Sequence, residues 1–183
     1  MKAHRARDEI TYTGEQLCSQ WIYRTFGVEG DAIAWFEGPC EVSGERLVDQ
    51  FDAQAGDFIK AARMMHFIVE HFDGDLDHAI LRQRLLVCLA AEVLGREVNG
   101  LRRVGDDLFI GERKLSVSIA TVSPVSSLIH FAVNTDPAGA PVPACGLGEL
   151  GVDPWRFAER LAAAYVAEVE RMAKARCTVR SVP

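Results

Sequence analysis

Two stretches that alternate between polar and apolar residues constrain this chain most. In KLSVSIA, residues 114–120, strand geometry sets Leu115, Val117 and Ile119 on one side and Lys114, Ser116 and Ser118 on the other. In HFAVN, residues 130–134, Phe131 and Val133 oppose His130, Ala132 and Asn134. The Ser/Pro loop at 123–127 joins the two as antiparallel neighbours. Upstream, Gly105-Asp106 and Gly111-Glu112 break the run from Gly100 into two or three strands, so a largely antiparallel sheet is expected here.

Helices must cover such a sheet. Asp75 caps a segment whose second half, LLVCLAAEVL, is apolar nearly all round and stops at Gly95, which predicts a buried helix. Asp153-Pro154 opens another, with Phe157, Leu161, Tyr165, Val169 and Met172 on one face. Thr13 with Gln16 three residues on is a capping-box pattern, so a helix is also predicted over 13–26. Ala32 to Phe36 reads as a strand, as does Met64 to Phe72, with a helical continuation from Lys60 as the alternative. Glu37 to Asp57 has weak periodicity and many turn residues, and 137–151 is a loop. The fold class is α+β, a largely antiparallel sheet packed against helices, with residues 1–183 as one domain and no internal repeat.

Composition narrows the function. The chain has 20 basic and 26 acidic residues, a net charge of −6 that attracts no polyanion, so no nucleic-acid partner is expected. The basic clusters, Arg5 with Arg7 and Lys174 with Arg176 and Arg180, lie where chains fray. Five widely spaced cysteines without a C-x-x-C pair argue against a disulfide framework or zinc ribbon and point to a reduced, cytoplasmic setting. There is neither a signal-peptide core nor an apolar run of about 18 residues, so no membrane partner is expected. The oligomeric state is not written in the sequence.

The polar face carrying Lys114, Ser116, Ser118, His130 and Asn134 has two readings: the solvent side of a sheet, or the floor of a shallow substrate cleft. Cys145, in PACGL, is either an inert small residue or a loop thiol whose thiolate a nearby cation such as Lys114 favours. A metal-binding alternative rests on HFIVEHFDGDLDH, where His66, Glu70 and His71 are candidate ligands for a divalent ion, although on a strand His71 points away from the other two. Asp106 and Asp107 are further candidates, and a hairpin turn explains them as well. No cofactor is firmly implied.

The stretches GDDLFIGERKLSVSIATVSPVSSLIHFAVN, YTGEQLCSQWIYRTFGVEGD and GLGELGVDP together resemble the domain of unknown function 366 family over nearly the whole chain. That family is similar to the lipoate/biotin protein ligase and octanoyltransferase superfamily, which implies a mixed sheet packed on helices. In octanoyltransferases a strand lysine and a Pro-Cys-Gly cysteine form an acyl-transfer dyad separated by a histidine strand. Lys114, His130, Asn134 and Cys145 match those positions in order. The resemblance thus implies acyl transfer from a small-molecule or carrier-bound acyl substrate, with Lys114 and Cys145 catalytic and Ser116, Ser118, His130 and Asn134 binding substrate. The transferases' acyl-chain loop and the ligases' Gly/Arg-rich phosphate loop have no counterpart here, so adenylation is the weaker enzyme reading. A small-molecule or metal-binding module, or a non-catalytic subunit that keeps the fold, stands as the alternative.

Overall fold

The computed structural model describes residues 1–182, apart from the side chain of Asp52. In chain order the elements are β1 (Lys2–Arg5), α1 (Trp21–Phe26), β2 (Ala32–Ser43), α2 (Gln50–Ala55), β3 (Phe58–His71), α3 (Leu76–Leu94), β4 (Leu101–Val104), β5 (Asp107–Ile110), β6 (Arg113–Lys114), β7 (Ser116–Val122), β8 (Ser127–Asp136) and α4 (Pro154–Thr178). A five-stranded sheet has the order β1-β2-β3-β8-β7, and β4, β5 and β6 form a separate three-stranded sheet. Only β1 with β2 is parallel in the larger sheet, which is therefore mixed and mostly antiparallel.

One face of the larger sheet packs on α3 and α4. Ile33, Met65, Phe67, Val69, Ile129, Phe131 and Val133 meet Leu86, Val87, Ala90 and Leu94 of α3 and Phe157, Leu161 and Tyr165 of α4. Burying each large side chain contributes about 1.5–3 kcal/mol, so this layer dominates stability. Both helices begin as the sequence predicts. The Asp75 carboxylate accepts from the N–H of His78, and that of Asp153 accepts from Trp155 and Arg156. The opposite face carries Ala34, Phe36, Met64, Ile68 and Ala132, partly covered by Tyr12 and Ile22 from the N-terminal segment. No helix among the described residues is long and apolar enough to cross a membrane.

Four expectations change. The helix predicted over 13–26 is only Trp21–Phe26. The Gln16 side chain does accept from the Thr13 N–H at 3.0 Å, but the reciprocal bond is missing, because the Thr13 hydroxyl is buried without a partner. Gln20 then adopts a left-handed φ of 61°, held by its N–H donating to the buried Glu70 carboxylate at 2.7 Å, and helix starts only after it. Second, the N-terminal basic residues do not fray: Lys2 to Arg5 pair with Ala32 to Trp35, and the Arg5 guanidinium lies 4.3 Å from the Trp155 ring centre. Third, both long strands run beyond their predicted ends, β2 to Ser43 and β3 from Phe58. Fourth, β4 to β6 do not extend the main sheet.

The smaller sheet meets the larger at Leu115, whose N–H donates to Leu108 and whose carbonyl accepts from Asn134. Leu115 is buried in the helix-side core, and Ser116, the next residue, pairs with Val133, which faces the same core. Two successive side chains therefore turn the same way, and the alternation slips by one residue.

Candidate functional site

A cleft of about 550 Å³ lies over the face of the larger sheet that is turned away from α3 and α4. Met64 of β3, His130 and Asn134 of β8, and Val117 and Ile119 of β7 form its floor. One wall is the turn from Val42 to Asp49 with Gly56 to Lys60, and the other combines Ala140 to Val142 with Asp106 and Asp107. Tyr12 lines the cleft beside His130.

The slip at Leu115 and Ser116 decides which predicted residues reach this cleft. Lys114, His130 and Asn134 line it together. Ser116 and Ser118 do not share that face: they pair with Val133 and Phe131, whose side chains belong to the helix-side core. The Ser116 hydroxyl accepts from the Leu108 N–H at 2.9 Å. That of Ser118 accepts from Gln83 of α3 at 2.7 Å and touches the cleft only at its side, beside Asp106. The expected face of five polar residues is thus a group of three.

Lys114 is half-buried, with its amine 2.9 Å from the Asp107 carboxylate. Partial burial pushes the Asp107 carboxyl up from the ordinary range, against the opposing pull of Lys114. Asn134 secures this corner. Its side-chain amide donates to the carbonyls of Lys114 at 3.3 Å and Cys145 at 3.1 Å, while its backbone N–H donates to Leu115.

Cys145 is not brought into the cleft. Its side chain is fully buried in the helix-side core, with the sulfur 3.7 Å from the Arg113 carbonyl and 3.9 Å from that of Lys114. Burial pushes the thiol upward, and the Arg113 charge opposes this only in part. The neighbouring glycine has a packing role: a Cβ on Gly146 would stand 2.6 Å from the Thr135 carbonyl oxygen, so only glycine lets this loop lie against β8.

The metal candidates are each bound to protein groups. His66 and Glu70 share one side of β3 and His71 faces the other, as strand geometry requires. Glu70 accepts from Gln20 and from the Ser126 hydroxyl. His71 Nδ1 donates to Asp31 at 3.1 Å, and its Nε2 accepts from the Tyr165 hydroxyl at 3.0 Å, linking the sheet to α4. Asp106 pairs with Arg84 and accepts from Gln83, and Asp107 pairs with Lys114. Among the described residues, no three His, Cys, Asp or Glu side chains gather as a metal site.

His66 instead meets His130, with Nδ1 of the first 3.1 Å from Nε2 of the second, and its own Nε2 lies 3.2 Å from the Gly38 carbonyl. Tyr12 stacks on His130 at 3.7 Å between ring centres, and Phe36 stacks on His66 at 5.1 Å. Burial lowers both imidazoles, His66 to about 4. The pair is therefore neutral at neutral pH. Sequence patterns placed each histidine on a strand, but only strand register could show that they meet. No sequence pattern marks Tyr12 or Lys60 as a site residue. Lys60 is exposed on the cleft wall, and no ion pair forms at its amine among the described residues.

A family model described as "Domain of unknown function (DUF366)" matches residues 1–180. An uncharacterized protein of Methanocaldococcus jannaschii is 37% identical over 173 residues, covering 91% of this chain and 78% of the relative. A solved structure described as a protein of unknown function from Pyrococcus horikoshi is 41% identical, with a TM-score of 0.94 over 100% of this chain and 99% of that one. The fold is also that of biotin and lipoate protein ligases. Biotin acetyl coenzyme A carboxylase synthetase of Helicobacter pylori, solved with bound biotinylated ATP, has a TM-score of 0.59 at 14% identity over 92% of this chain and 75% of that one. Lipoate-protein ligase A bound with ATP has a TM-score of 0.56 at 15% identity over 93% and 86%.

Proposed function

The chain belongs to the DUF366 family, and on that premise we propose that its cleft binds a small carboxylic acid of the biotin or lipoate kind, or the corresponding acyl group. One observation carries this reading: the strand floor of the cleft is apolar or neutral, at Met64, Val117, Ile119, His130 and Asn134, whereas its charged groups, the cations Arg46, Lys60 and Lys114 among the carboxylates Asp49, Asp57, Asp106 and Asp107, come from the surrounding segments. Sites of this kind bury an apolar body and orient it through a few polar groups. The ligand's carboxylate, or its acyl oxygen, lies at Lys114, where the amine is already oriented by Asp107.

Transfer of the acyl group is the finer step of this reading. A bound thioester would place its carbonyl oxygen beside the Lys114 ammonium, which stabilises the negative charge that develops there. Attack by an incoming amine forms the amide bond and breaks the C–S bond, and the departing thiolate takes up the amine's proton. Cys145 would enter such a route as acyl acceptor only by leaving the core in which it is packed.

Isothermal titration calorimetry with biotin, lipoate and octanoate tests the binding. At least one should bind saturably, and Lys114→Ala should weaken it by about tenfold, the loss of one charge-assisted hydrogen bond. Absence of binding by all three overturns the reading. Mass spectrometry after incubation with an octanoyl thioester and an amine acceptor distinguishes transfer, which yields the amide, from binding alone.

A further inference from the structure

His130 lines the cleft floor, and its partners fix its protonation. The Gly38 carbonyl can only accept, so the proton of His66 lies on Nε2. A neutral imidazole has one N–H, which leaves Nδ1 of His66 as an acceptor and places the proton of His130 on its Nε2. His130 is then left with a lone pair at Nδ1. Tyr12 lies over the ring with an interplanar angle of 12°, so that face is closed and only the in-plane edge can be used. No described residue donates to Nδ1. The fully enclosed, unpartnered side-chain atoms among the described residues are Thr13 Oγ1, Trp35 Nε1 and Thr135 Oγ1, so Nδ1 of His130 is not sealed in and opens on the cleft that its ring lines.

We propose that the ligand of this cleft donates a hydrogen bond from a neutral N–H to Nδ1 of His130, so that its buried end is a polar group such as a cyclic urea or an amide and not a bare hydrocarbon. This names the ligand class of the site proposed above and rests on that reading. A hydrocarbon pressed against Nδ1 would strip its water and return nothing, whereas a donor in the ring plane satisfies it. An anion is repelled by the lone pair. A cationic donor would be buried against neutral rings: among the described residues no carboxylate contacts either imidazole, and Asp106 and Asp107 of the cleft are already paired with Arg84 and Lys114. The recognised molecule therefore has a neutral donor at one end and a carboxylate or acyl group at the other.

Biotin and lipoate separate the possibilities, because they share a carboxylated aliphatic chain and differ in that only biotin carries ring N–H groups. In calorimetry the wild-type protein should bind biotin at least tenfold more tightly than lipoate. His130→Phe, which keeps a flat ring beneath Tyr12, should abolish that preference by weakening biotin and leaving lipoate unchanged or tighter. A biotin whose ureido nitrogens are methylated should bind the wild type no better than lipoate. Should His130→Phe not fold, histidine nitrogen NMR of the wild type gives the same answer: Nδ1 of His130 shifts on saturation with biotin and not with lipoate. Equal affinities for the two acids, or a preference that survives His130→Phe, overturn the donor assignment while leaving the carboxylate site standing. Binding of neither acid overturns the donor assignment, and if octanoate also fails to bind, the reading on which the assignment rests falls with it.

Discussion

The side-chain amide of Asn134 lies 3.1 Å from the carbonyl oxygen of Cys145. A second bond from the same amide to Lys114 closes a clamp between β8, the end of β6 and the loop after Pro143. The residues that look most like chemistry in the sequence are thus partly there to hold one another in place.

Asn134→Ala removes this donor from the buried carbonyl of Cys145 and from the partly buried one of Lys114, which keeps the Cys145 N–H. Unfolding in urea should show a loss of about 1–3 kcal/mol, and binding at Lys114 should weaken more than a remote substitution of equal stability cost allows. Asn134→Asp places carboxylate oxygens against those carbonyls, so its destabilisation should grow as pH rises through the aspartate range. A neutral result for Asn134→Ala would show that the clamp contributes nothing.

Cys145 should be slow to react. Iodoacetamide at neutral pH should label the exposed Cys177 well before Cys145, read by peptide mass spectrometry. Cys145→Ala should cost stability, of the order of 1–2 kcal/mol for a small core truncation, and should leave affinity for the small acids within a few-fold. Rapid labelling of Cys145 in the folded protein would contradict its place in the core.

Gly38 sits where the N-terminal segment crosses β2, and a Cβ there would stand 2.1 Å from the carbonyl oxygen of Ile10. Gly38→Ala must therefore move backbone, at a cost of about 1–3 kcal/mol, and because Tyr12 follows Ile10 by two residues it should also disturb the stacking on His130. Gly30→Ala is the control. Gly30 has a φ of +79° but open space around it, so only the left-handed backbone penalty of about 1–2 kcal/mol applies and ligand affinity should be retained. Denaturation and calorimetry on both variants decide.

The buried histidines make stability fall on acidification. Above the ordinary value of 6.5, His66 is neutral in the native and unfolded chains alike, and its contribution is fully present. As pH falls from 6.5 to about 4, the unfolded ring takes up a proton that the buried one refuses. His130 is lowered in the same direction by burial and by His66. Each ring should remove up to about 1.4 kcal/mol per pH unit across its window, measured by urea unfolding between pH 7.5 and 4.5. His130→Phe should show a shallower slope, and equal slopes would refute the buried neutral pair.

Local signals carried the fold well. Asp75 and Asp153 both cap as their positions suggest, because a cap involves only residues a turn apart. His130 and Asn134 share a face because β8 is regular across them. The failures share a physical origin in nonlocal contact. Lys2 to Arg5 are basic and form a strand only because β2 offers them a partner. Leu115 and Ser116 both fit alternation by residue type, so nothing in KLSVSIA announces the slip. Gln16 makes its half of the capping box, yet the distant Glu70 pins Gln20 and delays the helix. The meeting of His66 and His130 depends on the offset between β3 and β8, which side-chain pattern does not encode.

That slip has a consequence for substitution. Lys114 and Val117 border the cleft, while Leu115 and Ser116 between them are committed to the helical layer. Neighbouring positions thus answer to different constraints, and a substitution at one pair can reshape the cleft while the other pair keeps the scaffold unchanged.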